Sequence, residues 1–317
     1  MATYKDIKGT SIEVVSSDPS NPVIGQIWYN TTSQTLKGLE FGAAAWSTGG
    51  ALTTARYTLA GAGTQTAGLA IGGLPPNAGE PQKTEEYNGS SWTNGGDLTT
   101  GLSRLAAAGT QTAALAFGGI GDPDGTFSYN GSSWTQLANM VTGEVRLAGC
   151  GTQTAGLAFG GKNPQLTSTE EYDGSSWTNG GNLNTGRYAL AGAGLQTAGL
   201  AFGGNNSGDS ATEEYNGTAW TAGGTLNTAR KTLAGGGLQT AGLAFGGSPP
   251  TTGATEKYNG SSWTSTSSMN QARTELAGAG LQTAALAFSG DTPPSGAGTA
   301  TEEFSEFGPS TATIETT

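Results

Sequence analysis

A fifteen-residue unit with the consensus LAGAGTQTAGLAFGG recurs six times, beginning at Leu59, Leu105, Leu147, Leu190, Leu233 and Leu276. Successive copies are 42 to 46 residues apart. Between them lies a second unit, EEYNGSSW in its commonest form, ending at Trp92, Trp134, Trp177, Trp220 and Trp263. One more tryptophan, Trp46, precedes the first copy at the end of LEFGAAAW. A period of this length means that each repeat is a small supersecondary unit. Alone it cannot bury its apolar face, so it must stack on its neighbours.

Each repeat reads as four short strands, a to d. Strand a is LAGAGTQ. Strand b is AGLAFGG, in which Leu157 and Phe159 alternate with small residues at the period of two that a strand requires. Strand c ends in Glu-Glu-Tyr and strand d begins Ser-Ser-Trp. The Asn-Gly pairs between c and d (Asn88-Gly89, Asn130-Gly131, Asn216-Gly217, Asn259-Gly260, with Asp173-Gly174 as variant) predict type I′ turns with both central residues at positive φ. Four antiparallel strands per period predict an all-β chain and a six-bladed β-propeller. Gly and Ala on strands a and b would let the neighbouring Leu, Phe and Trp side chains approach.

The last a/b pair is followed by Glu302-Glu303-Phe304 and no tryptophan, so the Trp46 strand is expected to complete the last blade and leave no open edge. Leu39–Phe41 and Thr301–Phe304 both look like strand c, and the sequence leaves open which is used. The expected division is an N-terminal extension (1–38), the propeller (39–307) and a C-terminal tail (308–317).

Composition narrows the chemistry. Glycines number 55 and charged residues only 12%, with a net charge of −11. Such an acidic chain is a poor partner for nucleic acid. No segment predicts a secretory leader or a membrane span. There is no histidine and one cysteine, Cys150. This removes His-based triads and the commonest zinc and copper sites. Cys150 stands where sister repeats carry Ala and is expected to be a small core residue. No cofactor, metal or catalytic residue is expected.

The order of Arg187, Gly203-Gly204, Tyr215 and Trp220, with its counterparts over residues 51–304, resembles the kelch repeat. Kelch propellers serve as enzymes, adaptors and adhesins alike, so the resemblance speaks to fold. The copper oxidases among them need histidine, which this chain lacks. NPVIGQIWYNTTSQTLKG at 21–38, and LNTAR followed by LAGAGLQTAGLAFGG, resemble structural proteins of marine tailed bacteriophages: tail-fibre, spike or capsid-surface components. That resemblance implies a non-enzymatic protein of the virion, with other virion proteins and a host-surface glycan or protein as partners, and an oligomer within the particle. The segment Ile27, Trp28, Tyr29 would be the assembly anchor. Two other readings are a free lectin-like propeller and a polysaccharide hydrolase, which would need two carboxylates about 5–10 Å apart.

Strand direction puts the a–b and c–d turns on one face and the b–c and d–a loops on the other. The first face is nearly invariant among repeats; the second varies. Binding residues sit on variable loops held by a rigid scaffold. The candidates on the b–c loops are therefore Asn77 and Glu80, Asp122 and Asp124, Asn163 and Gln165, Asn205, Asn206 and Asp209, Thr251, and Asp291. Arg56, Arg187, Arg230 and Arg273 recur at one register, while Arg104 and Arg146 fall two residues later. They are expected either to ring a channel mouth and hold an anion or to bond blade carbonyls or acids from the next repeat. The pairs Glu85-Glu86, Glu170-Glu171 and Glu213-Glu214 cannot converge on one substrate, because adjacent strand residues face opposite ways. Ladders with arginine between blades are expected instead. Asp122 and Asp124 resemble a loose calcium loop.

Overall fold

The computed structural model describes residues 12–20, 26–75, 81–162, 167–205, 210–306 and 309–314, with backbone alone at 39–41 and 309–314. Among the described residues every regular element is a strand. The chain forms two compact units, Met1–Ala44 with Glu306–Thr317, and Ala45–Ser305.

The larger unit holds six four-stranded antiparallel sheets. Sheet 1 comprises Ala60–Gly63, Gly68–Ile71, Thr84–Tyr87 and Trp92–Asn94. Sheet 2 comprises Ala106–Thr110, Ala113–Phe117, Thr126–Tyr129 and Trp134–Gln136. Sheet 3 comprises Ala148–Thr152, Ala155–Phe159, Thr169–Tyr172 and Trp177–Asn179. Sheet 4 comprises Ala191–Leu195, Ala198–Phe202, Thr212–Tyr215 and Trp220–Ala222. Sheet 5 comprises Ala234–Leu238, Ala241–Phe245, Thr255–Tyr258 and Trp263–Thr266. Sheet 6 comprises Ala277–Leu281, Ala284–Phe288 and Thr301–Ser305, and its fourth strand is Ala45–Gly49 from the other end of the chain. Phe304 pairs with Trp46 as Tyr258 pairs with Trp263 in sheet 5. Strand c of sheet 6 is thus the C-terminal candidate. The repeated sheets are consistent with a β-propeller.

Burial varies with strand position. Strand b is buried on both faces from its second residue on, because it lies mid-sheet between neighbouring sheets. Strand d buries its leading tryptophan and exposes the two residues after it. In these six sheets each tryptophan indole N–H donates to a threonine hydroxyl on strand c of the preceding sheet: Trp134 to Thr84, Trp177 to Thr126, Trp220 to Thr169, Trp263 to Thr212 and Trp46 to Thr255. Trp92 of sheet 1 reaches Thr301 of sheet 6. A buried indole thereby keeps its polar atom satisfied.

Side-chain size is matched in the same direction. The phenylalanine ending strand b lies over a glycine of strand a in the next sheet. A Cβ on Gly149 would come within 2.4 Å of Phe117, one on Gly192 within 2.7 Å of Phe159, and one on Gly61 within 2.8 Å of Phe288. Sheet 1 ends strand b with the smaller Ile71, and there the next sheet carries Ala107, packed in the same cluster.

The c–d turns differ from the type I′ expectation. Of each pair only the glycine has positive φ, as at Gly89 (+89°). Asn88 instead accepts hydrogen bonds at Oδ1 from the backbone N–H groups of Ser90 and Ser91. The asparagine serves as a side-chain cap, a second use open to short polar side chains in turns.

The smaller unit holds one mixed sheet. Glu13–Val15 runs parallel to Ile27–Asn30, which pairs antiparallel with Thr35–Phe41, which in turn pairs with Pro309–Ile314. The stretch expected to be a tail therefore carries a strand, and Leu39–Phe41 belongs to this sheet. Asp18 organises it. The indole N–H of Trp28, the amide of Asn30 and the ammonium of Lys37 all donate to its carboxylate, holding it down at about 2, with the Lys37 bond the largest cause.

Candidate functional site

Thr58, Arg104, Arg146, Ala189, Thr232 and Glu275 each stand two residues before strand a of their sheet, and all have positive φ, between 52° and 60°. Non-glycine residues adopt this conformation only where surroundings dictate it. The surroundings here are one another. The N–H of each donates to the carbonyl of its counterpart in the preceding sheet: Arg104 to Thr58, Arg146 to Arg104, Ala189 to Arg146, Thr232 to Ala189 and Glu275 to Thr232, at 2.8–2.9 Å. Thr58 donates to Glu275 at 2.9 Å, so the set is cyclic.

These six residues, with the leucines next to them in the chain (Leu59, Leu105, Leu147, Leu190, Leu233 and Leu276), line a cavity of about 100 Å³. The leucines are buried, each 6% exposed, and make an apolar wall. The rim is chemically uneven, with two adjacent arginines on one side and Glu275 opposite Arg146 in the cycle. The Arg146 guanidinium titrates below its ordinary value, through burial first and the neighbouring charge of Arg104 second, with Glu275 pulling the other way. Neither guanidinium donates a hydrogen bond to any described residue; Arg104 Nε is buried without a partner among them, as are the Nε atoms of Arg56, Arg187, Arg230 and Arg273.

A second tier surrounds the cavity. The residues preceding the cycle bridge the first residues of the b–c loops: Tyr57 with Leu74, Ser103 with Ile120, Tyr188 with Asn205, Lys231 with Ser248 and Thr274 with Asp291. The Asn205 amide donates to the Tyr188 hydroxyl at 2.5 Å, and the Lys162 ammonium lies 5.0 Å from the centre of the Tyr188 ring. Asn205 and Asp291 therefore flank the cavity through their partners. Asp124 accepts from the Asn139 amide at 3.0 Å. The Asp122 carboxyl is pushed up, by burial first and by Asp124 second. Thr251 is half-buried. Asn77, Glu80, Asn163, Gln165, Asn206 and Asp209 lie outside the described residues. Among the described residues no cluster of three His, Cys, Asp or Glu side chains is placed to hold a metal ion. Ile27 and Tyr29 are half-buried in the smaller unit, and Trp28 is fully buried within the folded chain.

The remaining arginines serve the frame. Arg56, Arg187, Arg230 and Arg273 are buried and pair with Glu85, Glu213, Glu256 and Glu302 at 2.9–3.1 Å. Each also donates to at least two backbone carbonyls, as Arg56 does to Gly72 and Lys83. Each pair lies within one repeat rather than between sheets. The second acid of each Glu pair makes the link between sheets by accepting from a tyrosine hydroxyl: Glu86 from Tyr129, Glu171 from Tyr215, Glu214 from Tyr258 and Glu303 from Tyr87.

The opposite ends of the inner strands are built from the a–b turns. Their glutamines reach back to the preceding sheet, as Gln111 does to the carbonyls of Gly68 and Tyr87, which accounts for the constancy of that face. Thr58, Ala189, Thr232 and Glu275 of the cavity wall, and Tyr57, Tyr188 and Lys231 of the tier around it, are residues that the sequence alone did not mark. Their signal was variation at two positions between the recurring arginine and the invariant leucine. A search of protein-family models and a search of curated proteins each find no match to this chain.

Proposed function

We propose that the six sheets are the blades of a closed, six-bladed, kelch-like β-propeller, and that the chain is a non-enzymatic surface component of a tailed-bacteriophage virion. Closure is supported by three interaction sets that each return from sheet 6 to sheet 1: the tryptophan–threonine bonds, the phenylalanine–glycine contacts and the backbone cycle. The observation that carries a presenting role is the split between frame and rim. Buried interactions repeat from sheet to sheet, whereas the polar and charged groups around the cavity change between repeats. A scaffold of this kind holds varied groups in fixed positions, which suits recognition or assembly. The virion placement rests on the resemblance of residues 21–38 and of the repeat to phage structural proteins. Burial of Trp28 within the chain means that it needs no partner to cover it, so its anchoring role rests on that resemblance alone.

Peptide mass spectrometry of purified particles tests the placement. The chain should be present in stoichiometric amount, and particles assembled with a chain lacking residues 1–36 should not contain it. Absence from particles, or full incorporation of the truncated chain, would overturn the reading. A second reading, a lectin-like propeller acting free of any particle, is favoured by Tyr188, Asn205 and Lys162 converging at one rim. It requires the isolated chain to bind host polysaccharide on a glycan array.

A further inference from the structure

We propose that the cavity is an oxyanion site in which Arg104 and Arg146 together hold one carboxylate or sulfate group. The inference rests on the cavity alone and stands whether or not the chain belongs to a particle.

The two kinds of arginine contrast sharply. Arg56, Arg187, Arg230 and Arg273 each have an acid and at least two carbonyls. Arg104 and Arg146 have no acceptor for their guanidinium N–H groups among the described residues, yet they stand side by side, joined through the backbone at 2.9 Å. Two half-buried like charges beside a wall of leucines are unfavourable unless something negative offsets them. Of the residues lining the cavity Glu275 is the single acid, across the cycle from Arg146, so one carboxylate faces two guanidinium groups. Lys162, whose backbone N–H donates to the carbonyl of Val145 beside Arg146 and which forms no ion pair among the described residues either, extends the positive side outward. Planar guanidinium forks favour an oxyanion, which can accept two parallel N–H donors from each. A volume of about 100 Å³ admits one such group and no bulky ligand. A larger molecule would insert its acidic group and leave the rest against Tyr188. The source is either a free anion or an acidic sugar residue.

Isothermal titration of the full chain with sodium sulfate and with sodium glucuronate, at constant ionic strength against chloride, tests this. We expect one saturable site. Arg104→Gln and Arg146→Gln should each weaken it at least tenfold, and the double variant should abolish it. Lys83→Gln, which removes a cation paired with Asp97, should bind as the parent does. Glu275→Gln provides an independent readout, because removing the opposing acid should tighten binding several-fold. Tighter binding of glucuronate would assign the group to a sugar, and tighter binding of sulfate to a free anion. No binding above the chloride control by the folded parent chain, undiminished binding by the folded double variant, or no tightening in Glu275→Gln would overturn the proposal.

Discussion

Arginine occupies two places in the repeat, two residues apart, and its fate differs completely between them. At the first register it is buried with a glutamate and at least two carbonyls, four times over. At the second, in sheets 2 and 3, it lines the cavity without an acceptor among the described residues. The vacated first register shows what the frame tolerates. Sheet 2 puts Leu102 there and Phe127 where the glutamate would be, both fully buried. Sheet 3 puts Glu144 there and keeps Glu170, whose carboxylate accepts from the backbone N–H groups of Val141 and Thr142. An ion pair, an apolar pair and a loop-capping carboxylate thus fill equivalent space. The ion pair is one packing solution among several, as expected when desolvation offsets much of the Coulomb gain.

Breaking one half of a pair is a different matter. Arg230→Met leaves Glu256 buried without its charge partner and should cost about 3–5 kcal/mol in denaturant unfolding. Arg230→Leu with Glu256→Phe, which copies sheet 2, should recover more than half of that loss. Arg104→Gln at the other register should change stability by less than about 1 kcal/mol. Equal losses at both registers would erase the distinction.

The size match is the next largest effect. Ile71→Phe should cost about 1–3 kcal/mol by overpacking against Ala107. Ala107→Gly should reverse most of it, since that pair restores the arrangement of the other sheets. An additive double variant would show that the two residues do not share the space.

The tyrosine links between sheets predict an alkaline transition. Tyr87, Tyr129, Tyr215 and Tyr258 are pushed up to about 12, by burial first and by their hydrogen bonds to glutamate second. The unfolded phenol titrates near 10. Their contribution is complete below about pH 10 and is lost as pH rises toward 12. Melting temperature should fall over that window, and less steeply in Tyr258→Phe. The smallest effect is local. The buried Cys150 thiol is pushed up to about 12 by desolvation. A thiol reagent at pH 8 should therefore label it only on unfolding.

Much of this frame was legible because repetition exposes the rule. A residue type that returns at one register must answer one structural need. That identified the strands, the buried tryptophans and the Trp46 strand of sheet 6. Three features escaped. The asparagine caps look like type I′ turns in sequence, because both uses favour Asn-Gly. Pro309–Ile314 carries no repeat signature, so its pairing with Thr35–Phe41 had no internal comparison. The cavity rim was hidden for the opposite reason. Thr58, Arg104, Arg146, Ala189, Thr232 and Glu275 share a backbone conformation but no side-chain chemistry common to all six, so their equivalence appears only when the hydrogen-bonded cycle is seen. The longer b–c loops, which vary most visibly in sequence, stand out instead.

The proposed closure of the ring depends on Ala45–Gly49 being an integral strand of sheet 6. Native-state hydrogen exchange read by mass spectrometry compares it with Trp263–Thr266, the equivalent strand of sheet 5. If Ala45–Gly49 completes the sixth blade, both segments should share one protection level and lose it together in denaturant, as members of one cooperative unit do. Early exchange of Ala45–Gly49, with Trp263–Thr266 still protected, would contradict closure of the ring by this strand.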